Sequence, residues 1–261
     1  MLVESATASA LVFELEQWRR LDGRGLKARR EAAVKTIAAV CFDLRTGGPK
    51  GSTRASIAYM HARAAAENAY GRALYLTGKN PRESLDALET AVALMPTLTD
   101  AWVNLAEALM SNPRPPSWQR RAEDALARAH ELSPDSEKAH YLRGDLFAKT
   151  DRNAEAKAEF EAAKQNPWST MKLAQLAARE DDWKTAAAQM SRSLNLDRRL
   201  DFRARLYVEY LLALARSEPK RLDEAERWAG KLAKDGETPG LKNAGAQFLK
   251  KIKAFRRPAA T

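Results

Sequence analysis

The residues of this chain that could do chemistry are few, and their spacing does not assemble them. There are three histidines and one cysteine in 261 residues. His61, His130 and His140 are dispersed among separate predicted helices. None of them stands at metal-ligand spacing, and no Ser/His/Asp order marks a nucleophile. Cys41 sits in the run Ala38-Ala-Val-Cys-Phe42 and reads as a small buried hydrophobe rather than a reactive thiol. The paired acids Asp181–Asp182 begin a predicted helix, where carboxylates complement the dipole. The glycines of Thr46–Ser52 follow no strand, so they make no phosphate-cradling loop. Gly78-Lys-Asn80 resembles a nucleotide loop only superficially: its glycine spacing is wrong, and Asn80 stands where a magnesium-binding Ser or Thr is needed. The expectation is therefore not an enzyme, with no cofactor and no metal, and function has to be sought in a surface.

The elements that carry such a surface are helices. Ala, Leu, Lys, Arg and Glu dominate, Gly and Pro number 12 and 11, and no run alternates with the two-residue period of strands. A single cysteine excludes an internal disulfide framework and fits a reducing compartment. No apolar run approaches the roughly 18 residues that span a bilayer, so no membrane partner is expected. Met1–Phe13 lacks a basic leader region, and Glu4, Glu14 and Glu16 count against a transit peptide. The localisation this predicts is cytoplasmic, with nucleus or an organelle as alternatives. The formal net charge of +10 suggests a polyanionic neighbour (RNA, an acidic protein face or a membrane surface), or else solvated arginine-rich helices with no such partner.

Along the chain, Thr7 to Arg45 reads as two helices broken near Asp22–Gly25, with Leu11, Leu15, Trp18 and Leu21 on one face. Thr46–Ser52 ends this segment. A long helix from Thr53 to Leu76 follows, with Gly78 placed for a left-handed cap. Pro81 suits the first turn of the next helix and Pro96 stops it.

Trp102, Leu105, Ala106 and Leu109 then open a helix pair as W-x-x-L-A-x-x-L, and Ala122, Leu126, Ala129 and Pro134 close it. This order resembles the tetratricopeptide repeat. Pro96 and Pro134 hold equivalent stop positions about 38 residues apart, against a family unit of ~34, and the surplus lies in Ser111–Ser117. Gly144, Phe147, Ala156, Phe160 and Ala163 continue the register, with Pro167 one residue early. Leu173, Ala174, Trp183, Ala186, Met190 and Ser193 follow, with Arg198 where proline would stand. A degenerate unit from Asp201 to about Asp235 carries Leu211, Ala225, Ala229 and Leu232, and Pro239–Phe255 supplies a closing helix. Small residues (Ala106, Ala122, Gly144, Ala156, Ala163) allow close helix approach, while Trp102, Phe147 and Phe160 fill space between pairs. His140 falls at the Trp102 position and is expected in the core. The resemblance implies an all-α, right-handed superhelical solenoid. It divides the chain into an N-terminal helical segment (1–58), repeats (59–237) and a basic capping helix with tail (238–261).

Within the repeats, Gly71-Arg-Ala-Leu74, Ala87–Pro96 and Asp100–Glu107 are similar to the corresponding run of the tetratricopeptide repeat protein 5 family, which also has helices before its first repeat. That family joins its repeats to an oligonucleotide-binding-fold half. No strand-rich segment precedes Thr261, so that half is expected to be missing. The resemblance implies recognition of a short peptide in the concave groove, in that family including the N-terminus of nascent tubulin at the ribosome. None of the family's contact residues maps onto a position here.

First helices line the groove of such a stack. With Trp102, His140 and Ala204 as equivalent places, the groove positions are Asp100, Val103, Glu107 and Met110, then Lys138, Tyr141, Asp145 and Lys149. Met171, Gln175 and Arg179 follow, then Phe202, Arg205 and Glu209. A carboxylate clamp needs a Lys/Asn cluster in consecutive units, and Ala69 and Ala73 occupy the first such positions. The mixed charges suit either an extended peptide carrying both signs, with apolar contacts to Tyr141 and Met171, or mutual pairing across adjacent helices.

The basic surplus lies at the ends. Lys242, Lys250, Lys251, Lys253, Arg256 and Arg257 attend the last helix, whose apolar side carries Phe248, Ile252 and Phe255. Arg19, Arg20, Arg24, Lys27, Arg29 and Arg30 cluster near the N-terminus. These ends could neutralise RNA phosphates or simply solubilise a cap. Two functions follow as expectations: a non-enzymatic adaptor that binds a peptide, in its sharpest form ribosome-linked, or a structural ribonucleoprotein subunit held by its basic ends.

Overall fold

A computed structural model describes residues 8–15, 24–47, 53–111, 116–199 and 201–256, and these form helices joined by short turns, with no strand among them. The helices are α1 (8–15), α2 (Arg24–Thr46), α3 (Thr53–Thr77), α4 (Pro81–Leu94), α5 (Thr99–Leu109), α6 (Trp118–Leu132) and α7 (Glu137–Lys149). They continue as α8 (Asn153–Ala162), α9 (Pro167–Arg179), α10 (Trp183–Leu196), α11 (Phe202–Leu214), α12 (Arg221–Asp235) and α13 (Pro239–Phe255). The chain forms two compact units, Met1–Leu142 and Arg143–Thr261, divided inside α7. Trp18, Leu21 and most of the expected break near Asp22–Gly25 lie outside the described residues, as do most of Thr46–Ser52 and the middle of Ser111–Ser117.

The predicted punctuation is where the helices stop. Gly78 takes φ 67°, and its N–H and that of Lys79 close on the Tyr75 and Leu74 carbonyls at 3.2 Å. Pro81 occupies the first turn of α4, and α4 ends at Leu94, ahead of Pro96. Asp182 is the N-cap of α10, its Oδ1 accepting the Thr185 N–H at 3.0 Å, while Asp181 lies before the helix at φ 58°.

In the first unit α3 packs on α4 and α5 on α6. Helix α3 runs unbroken through 58/59, and its Tyr59, Ala66, Ala69, Tyr70 and Ala73 share one core with α1 (Ala8, Leu15) and α2 (Ile37, Cys41, Leu44). Glu67 is fully buried there, held by Arg45 through bonds of 2.7 and 2.6 Å. Cys41 is a core residue, as its neighbours predicted, and burial followed by the Glu67 charge pushes its thiol up to about 12.

Equivalent hydrogen bonds fix the register of successive units. Trp102 Nε1 donates to the Pro96 carbonyl at 2.9 Å, and His140 Nε2 lies 2.8 Å from the Pro134 carbonyl. His140 thus takes the place of Trp102 by its polar atom, and it is half-buried rather than in the core. Its ring meets that of His130 edge-on at 5.3 Å, so two of the histidines that looked dispersed are neighbours.

The second unit is built around Ala186, Met190, Ala204, Val208, Leu211, Ala225, Ala229 and Leu232, with α13 contributing Phe248 and Ile252. Phe255, expected on the same apolar side, is exposed. Gly144 is required by close approach: a Cβ there would lie 2.5 Å from Phe160 Cε1.

Candidate functional site

In the first unit, polar side chains from three successive first helices converge. Asn104 of α5 donates to Asn68 Oδ1 of α3 at 2.9 Å and accepts from Lys138 Nζ of α7 at 3.0 Å. Lys138 also lies 3.5 Å from Glu107, and Arg72 Nη1 reaches the same carboxylate at 2.6 Å. Arg72 is itself only 6% exposed and stacks over the Tyr75 ring at 5.0 Å. Burial alone would raise the Glu107 pKa, but Arg72 and then Lys138 more than offset it and hold the carboxyl below its usual range. Asn68, Arg72, Asp100, Asn104 and Lys138 line a cavity of about 260 Å³, and α1 closes one side with Ser9, Val12 and an exposed Phe13.

This arrangement of paired helices occurs in solved structures. The TPR protein TTC0263 of Thermus thermophilus has 18% identity over 79% of this chain and 98% of its own, with a TM-score of 0.56. Pseudomonas aeruginosa PilF has 15% identity over 74% of this chain and 91% of its own, with a TM-score of 0.56. The apo quorum sensor NprR of B. thuringiensis has 12% identity over 97% of this chain and 71% of its own, with a TM-score of 0.54. The fold is that of the tetratricopeptide repeat. At these identities the likeness is one of fold. No family model and no curated protein matches the chain, and the narrower resemblance to tetratricopeptide repeat protein 5 gains nothing from the solved structures.

The second unit carries its own set of tetratricopeptide first-helix charges. Asp145 is bound by Lys149 at 2.5 Å along α7 and by Lys172 of α9 at 2.8 Å. Burial would raise its pKa, and Lys172 and Lys149 together bring it below the usual carboxylate range. Arg205 and Glu209 pair at 3.1 Å within α11, Arg205 exposed and Glu209 half-buried. Each of Glu107, Asp145 and Glu209 has a basic partner: Glu107 and Asp145 pair across adjacent helices, whereas Glu209 pairs only within α11.

The remaining predicted positions divide by burial. Val103, Met110 and Met171 are buried at 2%, 4% and 5% and present nothing to a ligand; the apolar contact expected of Met171 goes to the core. Tyr141 and Gln175 are half-buried, and Asp100 and Arg179 are exposed. Ala69 and Ala73 are buried in the core shared with α1. The polar residues that face the cavity from α3, beside Ala69, are Asn68 and Arg72, one position earlier than Ala69 and Ala73, which sequence reasoning missed along with Asn104 and Lys172. The missed signal was the repeat spacing itself, since Asn68, Asn104 and Lys138 follow at intervals of 36 and 34.

Among the described basic residues of the C-terminal end, Lys242, Lys250, Lys251 and Lys253 are exposed. Arg256 is engaged, pairing with Asp223 and, at 2.9 Å, with Glu226. Arg257 lies outside the described residues, as do Arg19 and Arg20 and the side chain of Arg24. No group of three His, Cys, Asp or Glu that could hold a metal occurs among the described residues, and no helix there is long and apolar enough to cross a membrane.

Proposed function

We propose that this chain is a non-catalytic scaffold that captures a short, extended, mixed-charge peptide segment of a partner on the first-helix face of its first unit. The observation that carries the reading is the convergence of Asn68, Asn104 and Lys138, one from each of three successive repeats, on one polar cavity. Paired amides of this kind can read a peptide backbone by donor and acceptor together, which gives affinity without sequence. Lys138, roughly two-fifths exposed, can turn toward a carboxylate, while Asp100 offers a counter-charge to a base. The Lys/Asn set that the Ala69/Ala73 register denied is thus supplied one residue earlier. A ribosome-linked nascent-chain role rests only on the sequence resemblance, and a ribonucleoprotein role only on the charge of the ends.

Panning a random peptide display library on the intact chain tests this. Recovered peptides should lose at least about tenfold in affinity for Asn104→Ala combined with Lys138→Glu, as expected when central polar contacts of an interface are removed. They should bind unchanged to a variant with Lys242, Lys250, Lys251 and Lys253 reversed to Glu. Loss only in the second variant would transfer the binding to the basic end and defeat the proposal.

A further inference from the structure

The second unit contains an internal control for how well its repeats are filled. Its helix register equates Ala156 and Phe160 of α8 and its C-cap Ala163 with Ala186, Met190 and Ser193 of α10, and these in turn with Ala225, Ala229 and Leu232 of α12. Likewise Thr170, Ala174 and Ala177 of α9 correspond to Ala204, Val208 and Leu211 of α11. Where α10, α11 and α12 meet, four rings close the space. Trp183 packs on Tyr210 with centroids 6.1 Å apart, and Tyr207 meets Trp228 edge-on at 5.3 Å, its hydroxyl donating to Glu224 at 2.6 Å.

One repeat earlier, where α8, α9 and α10 meet, the equivalents of Trp183, Tyr210, Tyr207 and Trp228 are Asn153, Leu176, Leu173 and Gln189. Nothing moves in to replace the rings, and a cleft of about 450 Å³ remains, a size typical of ligand sites. Its apolar lining is Ala154, Leu173, Leu176 and Ala177. Gln189 Oε1, at the Trp228 position, is buried without a hydrogen-bond partner, although buried acceptors are normally satisfied. The rim carries Glu161, Glu180 and Asp182 against the single base Lys157, an acidic mouth on a chain of net charge +10.

We propose that this cleft receives an aromatic anchor from a partner protein: a tryptophan side chain flanked by lysine or arginine. The indole supplies the ring surface that the chain provides for itself one repeat later. Its N–H can donate to Gln189 Oε1 once that side chain turns into the cleft, and the flanking cations answer the acidic rim. Aromatic anchors seated in preformed pockets are the residues that dominate interface energetics. The site is separate from the peptide face of the first unit.

The test titrates the full chain with the acetylated tripeptide amide Lys-Trp-Lys carrying a fluorinated indole, read by fluorine NMR, beside Glu-Trp-Glu in the same form and Lys-Ala-Lys by calorimetry. Lys-Trp-Lys should saturate, and both comparison peptides should bind at least about tenfold more weakly, as loss of an anchor or of charge complementarity demands. Leu176→Tyr with Gln189→Trp, which rebuilds the neighbouring ring set, should abolish binding. Glu161→Lys with Glu180→Lys, on the solvent rim, should weaken it at least about tenfold and decides the matter if the filled variant does not fold. Equal binding of all three peptides, no saturation at millimolar peptide, or undiminished affinity in the rim variant would overturn the proposal.

Discussion

Glu107→Ala measures how much of the first-unit polar network is structural. The carboxylate lies 2.6 Å from Arg72, with side-chain exposures of 19% for Glu107 and 8% for Arg72. Truncation removes a counter-charge 2.6 Å from a buried guanidinium, which keeps its contact with the Tyr75 ring at 5.0 Å. Breaking a buried ion pair from one side costs about 3–5 kcal/mol. Solvent access to Glu107 and the ring beneath Arg72 reduce this to roughly 2–3 kcal/mol. At roughly 2–4 °C per kcal/mol for a chain of this size, the melting temperature should fall by roughly 4–12 °C. Glu209→Ala is the control, because its partner Arg205 is exposed and the pair lies within one helix, so removal should cost below about 0.5 kcal/mol. The pH dependence has a definite sign. The folded Glu107 pKa lies below its unfolded value, so the stabilisation is complete above the unfolded value and is lost as pH falls through the folded one. The gap between parent and Glu107→Ala should therefore hold from neutrality down to about pH 4.3 and close below it. Thermal and urea melts followed by circular dichroism at several pH values measure both effects. A Glu107→Ala cost no larger than that of Glu209→Ala would refute the reasoning.

Two further outcomes follow from the cores. Cys41 should resist thiol reagents in the folded chain at pH 8 and react at once in denaturant, because burial holds its thiol at about 12; a chromogenic disulfide assay with and without guanidinium reads this directly. Gly144→Ala gains about 1 kcal/mol of helix propensity but drives a methyl into the Phe160 ring, a clash costing about 1–3 kcal/mol. The net should be destabilising, and Phe160→Leu should relieve it in a double-mutant cycle read by urea melts.

The fold was legible because the residues that set it recur. Pro96 and Pro134, Trp102 and His140, and Gly144 against Phe160 each encode one geometric demand, namely where a helix stops, how its start is tied or how near its partner lies. Their spacing survives loss of overall identity. His140 shows the limit of reading by type: it keeps the Trp102 hydrogen bond and, like Trp102, is half-buried rather than in the core. The face was less legible, because a one-residue choice of register on a helix turns a side chain by about 100°. The Ala69/Ala73 register on α3 reaches the cavity only through Ala69, and the polar side chains that line it from that helix are Asn68 and Arg72. Val103 and Met171 failed for a related reason: an apolar residue on a first helix is drawn inward wherever an adjacent pair offers cover.

The cleft between α8 and α10 separates what a repeat sequence can say from what only packing can. Asn153, Leu173, Leu176 and Gln189 in place of Trp183, Tyr207, Tyr210 and Trp228 is a difference visible by aligning the chain with itself. Loss of ring volume at one interface does not by itself make a cavity, since helices can close up and long side chains can swing in. Here they do not: about 450 Å³ stays open and a buried amide oxygen keeps no partner. A repeat packed against a well-filled neighbour cannot collapse locally without disturbing that neighbour's register, because each pair is positioned by the pairs beside it. The aromatic-rich interface at α10–α12 therefore does more than stabilise its own repeat. It also holds α10, which brings Gln189 to the cleft, so Trp183→Ala, at a residue outside the cleft, should weaken binding of the indole peptide in the fluorine NMR titration by letting α10 shift toward the vacated α11 side.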